Sequence, residues 1–260
     1  MIKVMFTHRM SIIRIFSVFL VMLLALPAEA NENIQPSVQY RACMAKTKRF
    51  PKDAFEDAIQ WRDMGGGAAA EHCAAYALIQ LGLYKDAAAR LERLAERINE
   101  KPAFNAQLLG QASQAWLLAN IPDRAVAVAS AALKLRPGDV DLLLDRAQAR
   151  AQLSDYAGAK TDLDQVISKA PEHADALAFR AAAKRYMKDR AGALSDAERA
   201  LDIEFSHVAA LLERGNLRRL DGDDNGARAD WLMVLSLQPQ GEAAEAARQN
   251  LEKMDVNVGK

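Results

Sequence analysis

The sequence predicts an all-α protein built from repeated antiparallel helix pairs. Three observations predict this fold class: residues recur at a spacing of 34, alanine is abundant along the whole chain, and prolines follow stretches of helix-forming residues. Small side chains favour closely packed helices over sheets. A proline just beyond a helix stops the helix from continuing. Each repeat therefore predicts one helical hairpin, and stacked hairpins share one apolar core.

Four sets of residues carry the 34-residue period, so the repeat does not depend on one position. The sets are Pro137, Pro171, Phe205 and Pro239; Ala125, Ala159, Ala193 and Ala227; Leu109, Leu143, Leu177 and Leu211; and Leu133, Ile167, Leu201 and Leu235. Turn and N-cap residues divide each repeat into two helical stretches. They are Ser154 and Asp155, Lys188 and Asp189, and Gly222 and Asp223.

The repeat divides the chain into segments with defined expectations. We expect a signal peptide at 1–30, a degenerate N-terminal helical hairpin at 31–67, and a capping helix with a tail at 242–260. The five repeat units between them are predicted at 68–105, 106–139, 140–173, 174–207 and 208–241. A last helix with one polar face suits the end of such an array, because nothing stacks on its outer side.

The pattern inside these units resembles the tetratricopeptide repeat (TPR), which has the same period and helix-turn-helix layout. The matching residues include Leu143, Ala147, Tyr156, Ala159, Val166 and Pro171, then Leu177, Ala181, Ala193 and Ala200, then Leu211, Gly215, Ala227, Val234 and Pro239. Phe205 in place of a proline and Arg190 in place of a tyrosine depart from the pattern. The resemblance implies a right-handed superhelical solenoid with a concave groove that binds a peptide or a partner helix.

Carried over position by position, the resemblance places the groove on the first helix of each unit. The candidate partner-binding residues are Tyr76, Gln107, Gln114, Leu144, Gln148, Gln152, Arg185, Tyr186, Leu212, Asn216 and Arg219. The lysine and asparagine positions with which some TPR domains capture a C-terminal carboxylate hold other residues, so chaperone-tail binding is not expected. Ordinary exposed helix residues would give the same pattern, and this alternative stays open.

The first 30 residues have the composition of a secretory signal peptide. Basic residues precede an apolar run at 15–26, and Ala28 and Ala30 form the small-residue pattern of a cleavage site. The apolar run is too short for a comfortable membrane span. The sequence therefore predicts an exported, periplasmic protein that is cleaved after Ala30 and has no stable membrane span afterwards. Translation could start at Met1 or at Met10.

The chain contains two cysteines, Cys43 and Cys73. Two thiols in an oxidising compartment favour pairing. The predicted first helices of neighbouring hairpins pack side by side, so the two sulfurs can meet. We expect a disulfide that closes a loop of about 30 residues and fastens the degenerate hairpin to the array. The alternatives are two free buried thiols and a metal or catalytic role.

Two further sets of residues follow the repeat. Arginines and aspartates recur at Arg146, Arg180 and Arg214, and at Asp162, Asp196 and Asp230. Because these positions lie level on paired helices, we expect partly exposed structural ion pairs of ~0.2–1 kcal/mol each. The alternative is a basic stripe that binds an acidic partner. His173 and His207 are expected to be solvated loop residues rather than metal ligands.

Charge and motifs narrow the classes of function. Lys+Arg and Asp+Glu each number 34, so no overall field attracts nucleic acid. The chain has no nucleophile-elbow, zinc-protease, phosphate-loop or CxxC motif, so no catalytic residue, metal or cofactor is expected. We predict a non-enzymatic protein-protein interaction module, a scaffold or adaptor. The alternatives are a permanent structural subunit of a cell-envelope complex or homo-oligomer, and a cryptic enzyme, since acid-base pairs carry no local motif.

Overall fold

The computed structural model describes residues 37–98 and 102–258, with side chains described through residue 255. These residues form thirteen α-helices and no strand. The helices are α1 Val38–Arg49, α2 Pro51–Trp61, α3 Gly67–Gln80, α4 Tyr84–Arg97, α5 Pro102–Leu118, α6 Pro122–Leu135, α7 Val140–Gln152, α8 Tyr156–Lys169, α9 Ala174–Tyr186, α10 Arg190–Ile203, α11 Val208–Leu220, α12 Asp224–Leu237 and α13 Glu242–Val258. Each helix packs against the next, and the pairs stack as a solenoid, so the predicted all-α fold is confirmed.

Several helix ends fall where the repeat places them. The helices α7, α9 and α11 begin at the first residues of their predicted units, whereas α5 begins at Pro102, ahead of the unit start at 106. The last helix continues to Val258, into the segment expected to be a tail. The unit boundaries stay a prediction, and the predicted signal peptide lies outside the described residues.

The turns within the hairpins repeat one backbone conformation, because each needs a residue with positive φ to reverse the chain. The residues with positive φ in these turns are Gly82 at 73°, Asn120 at 56°, Ser154 at 62°, Lys188 at 69° and Gly222 at 88°. An aspartate then caps the second helix by accepting a hydrogen bond from a glycine N–H three residues later. The pairs are Asp155 with Gly158, Asp189 with Gly192, and Asp223 with Gly226, which confirms the predicted N-caps.

Alanine allows the helices to approach closely. The four alanines of the predicted ladder, Ala125, Ala159, Ala193 and Ala227, each have 0% of their surface exposed. The neighbouring apolar side chains form two large buried clusters, one from α3 to α7 and one from α6 to α13. The clusters overlap in sequence at α6 and α7, so each hairpin contributes to a core shared with its neighbours.

Three glycines join α2 to α3 through a π-type turn at Arg62–Gly66. Gly65 and Gly67 have φ of 94° and 52°, a conformation that side chains disfavour. Gly66 lies against the indole of Trp61, where a Cβ atom would come within 2.6 Å of the ring. Backbone conformation and close packing therefore account for the glycine run.

The N-terminal hairpin is fastened to α3 by covalent and polar contacts. Cys43 on α1 and Cys73 on α3 form a disulfide with 6.3 Å between their Cα atoms, in agreement with the expected pairing. Beside it, His72 Nε2 donates to Gln111 Oε1, and Tyr40 donates to His72 Nδ1, each at 2.8 Å. Burial lowers the pKa of His72, so the neutral imidazole links three helices.

Candidate functional site

The clearest groove feature is a cavity of about 360 Å³ between α7, α8 and α9. Three of the predicted groove residues, Gln148, Gln152 and Tyr186, line it together. Tyr186 is 54% exposed, and its ring stacks on Tyr156 with 4.4 Å between ring centroids. Alanines and Phe179 form much of the remaining wall, so the cavity is apolar with amide groups at its edge.

Other predicted groove residues are engaged with neighbouring side chains. Arg185 donates to both carboxylate oxygens of Glu213, at 2.6 and 3.1 Å, and lies 4.3 Å over the ring of Tyr186. Asn216 accepts from Asn250 at 2.8 Å, and Arg219 donates to Asp224 at 2.6 Å. These contacts order the wall of the groove and leave fewer free donors for a partner.

The two N-terminal candidates stand apart from the cavity. Tyr76 is half-buried on α3, and its hydroxyl contributes to the raised pKa of Tyr40, which results first from burial. Gln114 is exposed on α5, and its amide lies 3.4 Å from a carboxylate oxygen of Asp145 on α7. The remaining candidates, Gln107, Leu144 and Leu212, are exposed or half-buried on α5, α7 and α11.

The sequence pattern did not identify Tyr156, Phe179, Asp145 and Glu213 as candidate groove residues. Tyr156 begins the second helix of its hairpin, so a rule restricted to first helices could not find it. Asp145 and Glu213 stand at equivalent positions of two units, 8% and 9% exposed. A search for carboxylates that recur off the Arg–Asp ladder would have singled out this pair.

Asp145 has the most perturbed carboxyl group described. Burial raises its pKa to about 6, the hydrogen bond from Gln114 opposes this, and the nearby carboxylates of Asp141 and Asp139 add to it. A carboxylate that keeps its charge at neutral pH in such a place attracts cations strongly.

The predicted Arg–Asp ladder is confirmed as a set of ion pairs across each hairpin. Arg180 Nε and Nη2 each donate to Asp196 at 2.7 Å, and Lys184 adds a second cation at 2.7 Å. The same arrangement joins Arg146 and Arg150 to Asp162, and Arg214 and Arg218 to Asp230. The expectation of partly exposed pairs is wrong for the carboxylates, because all three are buried in the helix interface.

The two repeated histidines cap helices. His173 Nδ1 accepts from Ala176 N–H at 3.4 Å, and His207 Nδ1 accepts from Ala210 N–H at 3.2 Å. His207 also hydrogen bonds to Asp175 at 3.0 Å and is 8% exposed. The expectation of a solvated residue is therefore wrong for His207, because its ring fills the junction between two hairpins.

Two features are absent from the described part of the chain. No group of three or more histidine, cysteine, aspartate or glutamate side chains there is placed to hold a metal ion. Among the same residues, no helix combines the length and apolar character that crossing a membrane requires.

The comparison with protein families agrees with the repeat seen in the sequence and the structure. The family model described as "Tetratricopeptide repeat" matches residues 117–184. This segment runs from the end of α5 to α9 and contains the cavity-lining residues of α7. A search of curated proteins gave no match.

Solved structures with the same fold extend over most of the chain. MamA of Desulfovibrio magneticus RS-1, from residue 41 to its end, is 19% identical with a TM-score of 0.56, covering 71% of this chain and 96% of that one. YrrB, described as a TPR protein with an unusual peptide-binding site, is 16% identical with a TM-score of 0.53, over 75% and 98%. A tetratricopeptide repeat protein from Parabacteroides merdae ATCC 43184 is 18% identical with a TM-score of 0.56, over 80% and 75%.

Proposed function

We propose that this tetratricopeptide-repeat protein binds a segment of another protein in the groove along α5, α7, α9 and α11. The observation that carries the proposal is the cavity of about 360 Å³ between α7 and α9. It has room for an apolar side chain, and the amides of Gln148 and Gln152 at its edge can pair with the backbone of an extended segment. The description of YrrB as having a peptide-binding site is consistent with this role.

The binding step is non-covalent docking onto a surface that is already ordered. Tyr186 is held between the guanidinium of Arg185 and the ring of Tyr156, and Arg185 is held by Glu213. Since these side chains are fixed before the partner arrives, binding loses little of their conformational entropy. This wall supplies shape and apolar contact, and the partner supplies the side chain that fills the cavity.

A peptide selection tests the groove. We would express the full chain with its own leader, purify it, and select nonapeptides from a random phage-displayed library. We expect selected peptides to share an apolar residue and to bind at least tenfold more weakly to Ala182→Leu, which fills the cavity. The matched control is Ala131→Leu, the same change at a half-buried alanine of another cavity, on α6. Failure to enrich any peptide, or equal binding to Ala182→Leu, would rule out the groove as the binding site.

We propose further that the protein works outside the cytoplasm. The leader-like residues 1–30 and the Cys43–Cys73 bridge support this, because disulfides persist in oxidising compartments. N-terminal sequencing of the protein from a periplasmic extract should start at Asn31. An unprocessed chain in the cytoplasmic fraction would contradict export.

A second candidate function is that of a permanent subunit of a homo-oligomer. The turns inside the hairpins expose a row of apolar side chains, namely Leu118, Leu153, Met187 and Leu220. Apolar groups aligned on one edge can bury against another copy. Light scattering between micromolar and submillimolar concentration distinguishes the two functions, since an oligomer at every concentration favours the subunit and a monomer favours the free groove.

A further inference from the structure

Asp145 is a buried carboxylate that faces no cation. The residue is 8% exposed, and its hydrogen-bond partner is the amide of Gln114 at 3.4 Å. In the described part of the chain no lysine, arginine or histidine lies within ion-pair distance of it. The buried aspartates of the ladder differ, since each of them contacts two cations. A buried charge without a counter-charge destabilises the folded protein, so the presence of Asp145 at this position needs a separate explanation.

Another repeat of the same chain shows which kind of side chain binds an acidic residue at the position of Asp145. Glu213 occupies the equivalent position two repeats later and binds Arg185 through two hydrogen bonds at 2.6 and 3.1 Å. The position equivalent to Arg185, two repeats earlier, holds Leu117. The intervening repeat has Ala151 and Phe179 at these positions, an apolar pair. Of the three repeats, the one with Asp145 therefore has the acidic residue and lacks the arginine that could pair with it.

Asp145 lies on the same stripe of α7 as the cavity residues. Asp141, Asp145, Gln148 and Gln152 follow one another at spacings of four, three and four, which places them on one helix face. Asp141 is exposed and adds a second negative charge at the start of the stripe. The groove wall on α7 thus changes from carboxylates at its N-terminal end to amides and the apolar cavity at its C-terminal end.

We propose that Asp145 is a subsite for an arginine or lysine side chain of the segment that docks in the groove. The inference rests on the proposed function and adds the chemistry of the partner. The incoming cation would take the place at Asp145 that Arg185 takes at Glu213, with Gln114 as the side chain that covers the site and moves aside. Charge complementarity with Asp141 and Asp145 supports a basic rather than an acidic segment.

The structure also sets a spacing for the partner. The α7 residues that line the cavity, 147–152, are centred four to five residues beyond Asp145, a rise of about 7 Å at 1.5 Å per residue. An extended chain covers about 3.3–3.6 Å per residue. The basic residue of the partner should therefore lie two or three positions from the apolar residue that fills the cavity.

The peptide selection described above tests this inference when it is repeated with Asp145→Asn, which keeps the size of the side chain and removes its charge. We expect peptides selected by the unmodified protein to contain arginine or lysine two or three positions from an apolar residue. Replacing that basic residue with alanine should weaken binding about ten- to hundredfold, the effect of one charge-assisted hydrogen bond in a buried site. The same replacement should change binding to Asp145→Asn less than twofold.

Two variants control this double-mutant comparison. Asp202→Asn removes one charge from an exposed position on α10 and should leave binding unchanged. Leu117→Arg places an arginine at the position equivalent to Arg185, where it can pair with Asp145. This variant should therefore no longer prefer peptides that contain a basic residue. Circular dichroism and thermal unfolding of each variant establish that it is folded.

The outcomes separate the two proposals. Selected peptides that lack a basic residue, or that bind Asp145→Asn as tightly as the unmodified protein, overturn the subsite and leave the groove standing. Failure to select any peptide, or equal binding to Ala182→Leu, overturns the groove and the subsite with it.

Discussion

The hairpin α1–α2 with α3 and the hairpins α7–α12 are held together by different chemistry. The N-terminal part uses contacts that occur once: the Cys43–Cys73 bridge, the hydrogen bonds of His72, and a glycine turn fitted under Trp61. The C-terminal part repeats one set of contacts three times, with a buried aspartate between two cations in every hairpin.

The difference shows how an irregular end can be joined to a regular array. Where the repeat is regular, equivalent residues fall in equivalent places, and one solution serves every hairpin. Where the repeat degenerates, the shared contacts are lost, and specific links replace them. Removing one of these specific links should therefore destabilise the N-terminal part alone. Removing the buried aspartate should destabilise each C-terminal hairpin by a similar amount.

The largest expected effect comes from removing the disulfide. Replacing Cys43 and Cys73 together with serine should lower the free energy of unfolding by about 3–4 kcal/mol, because the unfolded chain regains the entropy of a loop of about 30 residues. Amide hydrogen exchange should speed up in α1 and α2 and stay unchanged in α7–α12. Two free thiols by mass spectrometry in the exported protein would show that the link is not formed.

The next effect concerns the ladder. Asp196→Ala leaves Lys184 without its carboxylate and Arg180 with Asp164 alone, and should cost about 3 kcal/mol in urea unfolding, since breaking a buried pair from one side is expensive. Asp162→Ala and Asp230→Ala should cost similar amounts. Asp202→Ala on the exposed face is the control and should cost little. Unequal losses among the three aspartates would refute their equivalence.

Glycines in the two parts should respond differently to substitution. Gly66→Ala should lower stability by about 1–3 kcal/mol, because the new Cβ collides with the Trp61 indole. Gly222→Ser should cost less, about 1 kcal/mol, since nothing lies within 4 Å of a Cβ there and Ser154 has a positive φ of 62° at the equivalent turn position, against 88° at Gly222. Thermal unfolding of both variants checks the comparison, and equal losses would count against it.

The last effect depends on pH and has the opposite sign, since the substitution should stabilise the protein. The pKa of Asp145 is raised from 3.8 to about 6, so the folded protein loses stability as pH rises through this window and keeps the full penalty above it. Asp145→Asn should therefore be more stable than the unmodified protein by about 2–3 kcal/mol at pH 7.5, with the gain shrinking towards pH 4.5. Urea unfolding at both pH values measures this, and a gain independent of pH would contradict the assignment.

The fold could be predicted from the sequence because the residues that mark the ends of the helices recur in several repeats. The alanine ladder, the N-cap aspartates and the Arg–Asp pairs depend on spacing within a hairpin, and local geometry fixes that spacing. The partner of Arg185 could not be predicted this way. Glu213 lies on the first helix of the next hairpin, and only the stacking of hairpins brings the two side chains together.

By itself, the sequence determined the helix pairs, their order and the residues that could pair across each hairpin. The tertiary structure decided which polar groups are buried, which predicted groove residues are engaged internally, and where a cavity remains. Burial depends on how neighbouring hairpins cover a residue, which no periodicity within one chain segment records. Asp145 and Glu213 illustrate the limit, since they occupy equivalent repeat positions, and the structure shows that Glu213 binds Arg185 whereas Asp145 contacts Gln114.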